Sequence, residues 1–134
     1  MIGDNIKIGS CINKMDDKGR VVIPGFSGAE TGEIVTIELV EKAGQEAYLR
    51  VWNQKILYNI LHNLRERLLN TDNPTLFEQN KRIYDDYCTQ YCNEKEIGKW
   101  RRLQIPKIFR DKLPEGDYCE LSYAGTYVKV RKIH

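Results

Sequence analysis

The chain has 134 residues, of which 41% are hydrophobic and 30% are charged, and its formal net charge is +2. This length suits one compact domain, or two very small interlocked ones, and excludes large multidomain enzymes. No apolar run approaches the roughly 18 residues that a membrane span needs, and residues 1–5 lack the basic and apolar regions of a secretion signal. We therefore expect a folded, cytoplasmic protein without a membrane segment.

The first part of the chain predicts a β-hairpin. Apolar residues alternate with polar ones from Ile6 to Met15, and a second apolar segment ends in Ile23-Pro24. Between them, residues 16–19 read Asp-Asp-Lys-Gly, which is typical of a tight turn that opens with Asp and closes with a left-handed Gly. The turn would carry Lys18 at its tip.

Between residues 53 and 92 the apolar spacing changes to that of two helices. Apolar residues from Ile56 to Leu68 recur at intervals of three and four positions, as on one face of a helix. Asn53 stands where the residue that caps this helix is expected. A second helix is expected after Asn73, with Pro74 at its first position, where the missing N–H does no harm. The expected buried side of this second helix consists of Leu76, Phe77, Ile83, Tyr84, Tyr87, Cys88 and Tyr91. Two helices joined by a short polar turn should pack as an antiparallel hairpin.

The chain contains an internal repeat with a shift of 82 positions. This shift aligns Pro106 with Pro24 and Arg102 with Arg20. Paired strand segments follow in the same order, at residues 33–40 and 47–52 in the first half and at 118–123 and 126–131 in the second. We therefore divide the chain into a first half at 6–54, a helical hairpin at 55–92 and a second half at 93–134. Neither half is large enough to form its own core, so together they should make one compact domain.

Basic residues are concentrated toward the end of the chain. Residues 1–54 carry six basic and eight acidic groups, net −2, whereas residues 91–134 carry ten and six, net +4. The centre of this excess is the run Lys99-Trp100-Arg101-Arg102. Such a run is more often a solvated surface than a nucleic-acid site. Trp100 could stack on a base or a sugar, but the habits of tryptophan favour a partly buried strand residue.

Residues 16–24, Asp-Asp-Lys-Gly-Arg-Val-Val-Ile-Pro, resemble the Asp-x-Lys-Gly-Arg-x-x-Ile-Pro signature of MraZ and the wider SpoVT-AbrB-like DNA-binding families. Residues 105–113 are similar to the Ile-Pro-x-x-Phe/Leu-Arg-x-x-Leu continuation of the same families. Two such half-repeats that flank a helical pair are the MraZ layout. The second half departs from the signature, because Gly98 and Arg101 stand where its aspartate and glycine belong.

The resemblance implies a mainly β, α+β fold: a swapped-hairpin double-split β-barrel built from two pseudo-repeats, with the helical hairpin inserted between them. It also implies a DNA-binding transcriptional regulator that recognises short repeated sites on double-stranded DNA as a ring-shaped homo-oligomer. A nucleoid-associated location in the cytoplasm would follow. One shallow hairpin offers few contacts, so oligomerisation should supply avidity.

DNA contacts are implied by the resemblance for Lys18 and Arg20, and the internal repeat extends them to Arg102. Lysine can meet a phosphate as a point charge, whereas arginine can fork onto a phosphate or a guanine edge. From charge alone we add Lys99 and Arg101 as candidate DNA contacts.

Two further residues of the first turn support this hypothesis. Gly19 should let the backbone approach the DNA closely. Asp16 should accept a hydrogen bond that orients the guanidinium of Arg20. The alternative is that Asp16 and Arg20 form an ion pair that only stabilises the turn.

Other chemistries find little support in the sequence. The spacing of the four cysteines does not match zinc knuckles, which predicts free thiols without a metal. These cysteines are Cys11, Cys88, Cys92 and Cys119, and we expect Cys88 and Cys92 on the buried stripe of one helix. His62 and His134 have no neighbours in sequence that suggest a catalytic triad. We expect no enzymatic activity, no cofactor and no small-molecule substrate.

Two other functions remain open on the same fold. A protein-interaction module that has lost DNA binding would agree with the near-neutral charge and the altered second signature. An antitoxin-like regulator would bind both DNA and a partner protein. The acidic first half of the chain distinguishes the interaction module from a DNA-binding protein. It should repel a duplex unless Lys18 and Arg20 project beyond the acidic groups.

Overall fold

The computed structural model describes residues 9–24, 30–123 and 125–133. The strands are β1 (Ser10–Lys14), β2 (Arg20–Val22), β3 (Ile34–Val40), β4 (Tyr48–Asn53), β5 (Cys92–Glu96), β6 (Arg102–Gln104), β7 (Tyr118–Tyr123) and β8 (Tyr127–Ile133). The helices are α1 (Gln54–Leu69), α2 (Pro74–Tyr91) and the short α3 (Lys107–Arg110). None of the helices within these ranges is long and apolar enough to cross a membrane. The predicted strand residues Ile6 and Ile8 lie outside the described residues, and so does His134.

The protein is mainly an antiparallel β-structure with added helices, which confirms the expected α+β class. Six strands form one sheet in the order β1-β7-β8-β4-β3-β5. The strands β2 and β6 form a separate antiparallel ribbon, referred to below as the β2–β6 ribbon. Among the described residues the strands do not close into a barrel, so the closed barrel that the resemblance implies is not found.

The sheet is assembled symmetrically from the two parts of the chain that flank the helices. Its two edge strands, β1 and β5, are separated by the same 82 positions as the sequence repeat. β1 pairs with β7, and β5 pairs with β3, so each flanking part supplies an edge strand to the other. In the β2–β6 ribbon, Val21 pairs with Leu103, its own counterpart under this shift. The two parts therefore share backbone hydrogen bonds as well as a core.

The β2–β6 ribbon is attached to the core by the inward face of both strands and by the residues that follow them. Val21, Ile23, Leu103 and Ile105 are each 0% exposed and belong to the main hydrophobic cluster. Successive side chains of a strand point to opposite faces, so the residues that alternate with these point outward. Burial of the four aliphatic side chains holds that outer face in a defined position.

Local signals determine where the long helices begin. The side chain of Asn53 accepts hydrogen bonds from two N–H groups in the first turn of α1. Asn73 caps α2 in the same way, and Pro74 occupies the first helical position. These are the predicted caps. Asn80 then ties the helices together, since its Nδ2 donates to a carbonyl near the end of α1 at 2.7 Å.

The helical hairpin is much more exposed than its apolar periodicity predicts. No residue of α2 is buried, and Leu57 is the buried residue of α1. The prediction that Leu76 and Ile83 are buried was wrong, because they are 43% and 63% exposed. Apolar spacing identifies one face of a helix, but here that face meets only part of the sheet and of the neighbouring helix. The described residues of the chain do not cover it.

The end of α2 also differs from the prediction. Cys88 lies on α2, but the backbone becomes extended at Cys92, which is the first residue of β5 and pairs with Glu38 of β3. The expectation that both cysteines share one helical stripe was therefore wrong. Pairing with β3 satisfies the backbone of this segment, and that pairing partner lies more than fifty positions away in the sequence.

Candidate nucleic-acid interface

The outer face of the β2–β6 ribbon brings together two arginines, a glutamine and a valine from the two strands. Arg20 pairs with Gln104, and Val22 pairs with Arg102. These four residues alternate with the buried ones, so their side chains point away from the core. A two-stranded antiparallel ribbon fits the major groove of B-form DNA. The β2–β6 ribbon is therefore the candidate nucleic-acid interface.

At one end of the ribbon, the turn at residues 16–19 is organised around the carboxylate of Asp16. Its Oδ1 accepts hydrogen bonds from the backbone N–H groups of Lys18 and Arg20, at 3.0 and 2.8 Å. Its Oδ2 lies 2.7 Å from Nε of Arg20. The backbone N–H of Arg20 is the largest cause that lowers the pKa of Asp16, and the Arg20 side chain adds to it. The carboxylate is ionised at neutral pH, and its contribution to stability is lost as the pH falls through this lowered pKa.

The contact between Asp16 and Arg20 leaves part of the guanidinium available. It uses Nε, and among the described residues Nη1 and Nη2 of Arg20 make no hydrogen bond. The side chain is 29% exposed on the outer face of the ribbon. The ion pair therefore stabilises the turn and fixes the guanidinium through Nε alone. The contact itself is the one expected from the sequence, and its predicted role in orienting Arg20 toward DNA stays a prediction.

Gly19 has a structural task that the sequence did not predict. Its φ is +79°, and a Cβ built at this position would lie only 2.4 Å from Nε of Arg110. Arg110 donates from the same nitrogen to the carbonyl of Ile105 at 3.1 Å. Gly19 is buried under this side chain. In this structure the close approach that Gly19 permits is to the side chain of Arg110, and its predicted approach to DNA stays a prediction.

The other end of the ribbon has an equivalent turn at residues 98–101. Gly98 donates its N–H to the carbonyl of Arg102 at 2.8 Å, as Asp16 does to Arg20 at 2.9 Å. Arg101 has φ 57°, the left-handed conformation that glycine occupies in the first turn. The second turn therefore keeps the backbone shape after losing both the aspartate and the glycine of the signature.

Arg101 is held in this conformation by contacts with the protein. Its Nε donates to the carbonyl of Ile23 at 2.8 Å, and its Nη2 donates to that of Pro24 at 3.0 Å. Its Nη1 lies 3.2 Å from a carboxylate oxygen of Glu30. The side chain is only 21% exposed. Since its donors already have partners within the chain, Arg101 is a clamp between the two strands, and we do not retain it among the candidate DNA contacts.

Trp100 lies at the tip of the second turn, where the repeat aligns it with Lys18 at the tip of the first. Its side chain is 79% exposed, and its backbone is left-handed at φ 62°, ψ 25°. The prediction of a partly buried strand residue was therefore wrong. The alignment with Lys18 was the signal in the sequence that could have indicated an exposed position.

The remaining candidate cations surround these two turns. Lys18 and Lys99 are exposed, and Arg102 is half-buried. The carbonyl of Lys18 accepts a hydrogen bond from Nε2 of Gln104 at 2.6 Å, which joins the first turn to β6. Nε of Arg102 donates to the carbonyl of Lys99 at 3.3 Å, which holds its aliphatic stem beside the second turn. Lys18 and Arg20 therefore lie at one end of the β2–β6 ribbon, and Lys99 and Arg102 lie at the other end.

Metal-binding side chains and cysteine thiols are other groups in the described part of the chain that could support chemistry. No cluster of three or more potential metal-binding side chains occurs there. All four cysteines are free thiols. Burial, followed by the nearby Glu38 and Cys88, raises the pKa of Cys92 to about 12. This thiol is therefore protonated at physiological pH and is a poor nucleophile.

Comparison with known proteins adds little to this geometry. No family model matches the chain, and no curated protein matches it. Among solved structures, the chain is similar to the solution structure of PHS018 from Pyrococcus horikoshii. The identity is 17% and the TM-score is 0.40, over 93% of this chain and 94% of the other. A likeness of this size gives no basis for assigning a fold family or a function.

Proposed function

We propose that this protein is an MraZ-like DNA-binding transcriptional regulator that recognises short repeated sites on double-stranded DNA. The observation that carries the proposal is the Arg20 guanidinium, which Asp16 holds through Nε while the side chain stays partly exposed on the outer face of a two-stranded ribbon. A bidentate arginine is the commonest specific reader of guanine in the major groove. Binding to the chromosome would make the protein nucleoid-associated.

The ribbon supports a division of labour among its cations. Lys18, Lys99 and Arg102 lie at its two ends, where they would meet the phosphate backbones on either side of the groove. Contacts with phosphates position a protein on DNA, and contacts with base edges specify the sequence. Arg20 is the proposed base reader because its orientation is imposed by Asp16.

Substitutions should separate these two kinds of contact. Arg20→Ala should weaken binding to the cognate repeat by about 1–3 kcal/mol and binding to a random duplex much less. Lys18→Ala and Arg102→Ala should weaken both duplexes alike and reduce the salt slope by roughly one unit per chain. The measurement is a salt titration of binding to the DNA upstream of the protein's own gene and to a random duplex.

The matched control is Lys42→Ala, an exposed lysine in the loop between β3 and β4, away from the ribbon. It should leave both affinities nearly unchanged. Equal and small effects from the three ribbon substitutions would contradict the DNA assignment. They would favour a protein-interaction module or an antitoxin-like regulator on the same fold.

The proposal includes assembly into a ring-shaped homo-oligomer through the helical hairpin. Ile56, Ile60, Leu76 and Ile83 are large apolar side chains that remain exposed on α1 and α2. Residues 55–90 carry five basic and five acidic groups. A neutral surface of mixed charge does not repel a second copy of itself, so these exposed residues suit self-association.

The exchange of edge strands between the two parts of the chain supports a swapped-hairpin arrangement within each subunit.

Light scattering should therefore return a mass that is a multiple of 15.7 kDa at micromolar concentration. Ile83→Glu should reduce the oligomer, because a charge in a buried apolar interface is strongly unfavourable. Ile108→Glu is the control, since Ile108 is 68% exposed on α3 and lies outside the helical hairpin. A mass near 16 kDa for the unchanged protein would contradict the oligomer.

A further inference from the structure

The turn at residues 98–101 holds Trp100 in an unfavourable position. The indole is 79% exposed, although tryptophan is usually one of the most buried side chains on average. Trp100 and Arg101 are also consecutive left-handed residues, at φ 62° and 57°. This conformation places Cβ too close to the following carbonyl in L-residues. Backbone strain of this kind persists only where surrounding contacts impose it, and it concentrates at functional sites.

The contacts that impose the conformation do not involve the indole. Arg101 bonds to the carbonyls of Ile23 and Pro24, and Gly98 closes the turn on Arg102. The body of the protein therefore determines the shape of the turn, and the ring at its tip is left in solvent. A bound partner that covers the ring would recover the hydrophobic free energy that the free protein forgoes.

The charge around the ring indicates the chemistry of that partner. Lys99 is exposed beside Trp100, and Arg102 begins β6 directly after the turn. No acidic residue lies in the segment 98–104, and Glu30 is paired with Arg101. An aromatic ring between cations suits a ligand that alternates planar rings with anionic groups. Single-stranded nucleic acid is such a ligand, since its bases stack on aromatic side chains while its phosphates meet the cations.

We infer that Trp100 is a stacking platform for an unstacked nucleobase, with Lys99 and Arg102 bound to the adjoining phosphates. The base faces of an intact duplex are covered by their neighbours, so the ligand of this turn is a single-stranded or locally unpaired segment. The inference rests on the proposed function. It adds a task at one end of the β2–β6 ribbon: the cations at both ends contact phosphates, and at the end with Trp100 the ring also stacks on an unpaired base where the DNA offers one.

The test compares two labelled duplexes, one fully paired and one with the same sequence and a three-nucleotide unpaired stretch. Trp100→Ala should weaken binding to the second duplex about fivefold or more and leave binding to the first essentially unchanged. Trp100→Phe should retain most of the affinity, because phenylalanine also stacks. Trp100→Lys installs the residue found at the equivalent position of the first turn. It should weaken binding to the unpaired stretch despite the added charge.

Fluorescence provides a second readout. Trp52 is buried, so quenching of tryptophan emission by the unpaired duplex should come from Trp100 and should disappear in Trp100→Phe. Thermal unfolding of each variant checks the fold, which a change at so exposed a side chain should not disturb.

The outcomes separate this inference from the function on which it rests. If Trp100→Lys binds the unpaired duplex as tightly as the unchanged protein, the turn contacts phosphate and the inference is wrong. If all three variants match the unchanged protein on both duplexes, Trp100 does not contact DNA and the inference is also wrong, while the proposed function stands. If the unchanged protein binds neither duplex, both fail.

Discussion

Replacing Arg101 with alanine should lower the free energy of unfolding by about 3 kcal/mol, which is large for a residue in a charged surface run. Three polar contacts are lost at once, with the carbonyls of Ile23 and Pro24 and the carboxylate of Glu30. Two of those acceptors are backbone groups that follow β2 and lie close to the core. The left-handed strain at position 101 remains, because alanine also disfavours that conformation.

Arg101→Gly separates the strain from the contacts. Glycine adopts φ near +57° without a Cβ penalty, so this variant should be about 1 kcal/mol more stable than Arg101→Ala while still lacking the guanidinium. Lys99→Ala is the control in the same turn and should change stability by less than about 0.5 kcal/mol. Urea unfolding monitored by circular dichroism measures all three. An Arg101→Ala variant as stable as Lys99→Ala would show that the clamp does not exist.

A comparable loss is expected at Glu38, whose carboxylate is buried on β3. It accepts a hydrogen bond from Nε1 of Trp52 at 2.9 Å, and Oε1 also lies 3.2 Å from Nε of Arg50. The second contact is a close ion pair rather than a directed hydrogen bond, because Nε of Arg50 has no aligned acceptor in the described part of the chain. Arg50 in turn lies over the rings of Trp52 and Tyr127. Glu38 is thus the anion of a compact cluster of cation and aromatic rings on the sheet.

Glu38→Ala should cost about 3–4 kcal/mol, because it leaves Arg50 without a counter-charge and the indole N–H of Trp52 without an acceptor. Glu38→Gln keeps an acceptor for Trp52 and removes only the charge, so its cost should be clearly smaller. A double-mutant cycle with Arg50→Ala isolates the ion pair. If Glu38→Ala and Glu38→Gln were equally destabilising, the hydrogen bond to Trp52 would contribute nothing. A coupling energy near zero would likewise show that the ion pair between Glu38 and Arg50 does not stabilise the protein.

The features that the sequence predicted correctly are those that depend on near neighbours. The turn at residues 16–19, the caps at Asn53 and Asn73 and the α+β class all follow from spacing and residue type within a few positions. A side chain that caps a helix bonds to an N–H two or three residues away, so the sequence contains both partners. The shift of 82 positions also aligns the residues that pair at the centre of the β2–β6 ribbon.

In contrast, residues far away in the sequence decided which side chains are exposed and which groups they bind. Arg20 is the first residue of β2 and Arg101 directly precedes β6. The side chain of Arg101 donates to acceptors more than seventy positions earlier, whereas among the described residues the terminal nitrogens of Arg20 make no hydrogen bond. Gly19 lies under the side chain of Arg110. The apolar face of α2 contacts too little of the sheet to become buried.

The sequence alone therefore determined the local elements, the repeat and the set of charged candidates. Only the tertiary structure decided which of these candidates are exposed and which are bound within the chain, and it left Trp100 in solvent. The physical reason is that a donor or an apolar surface is satisfied by whatever the fold brings within a few ångströms of it. In this protein those partners come from the other half of the chain.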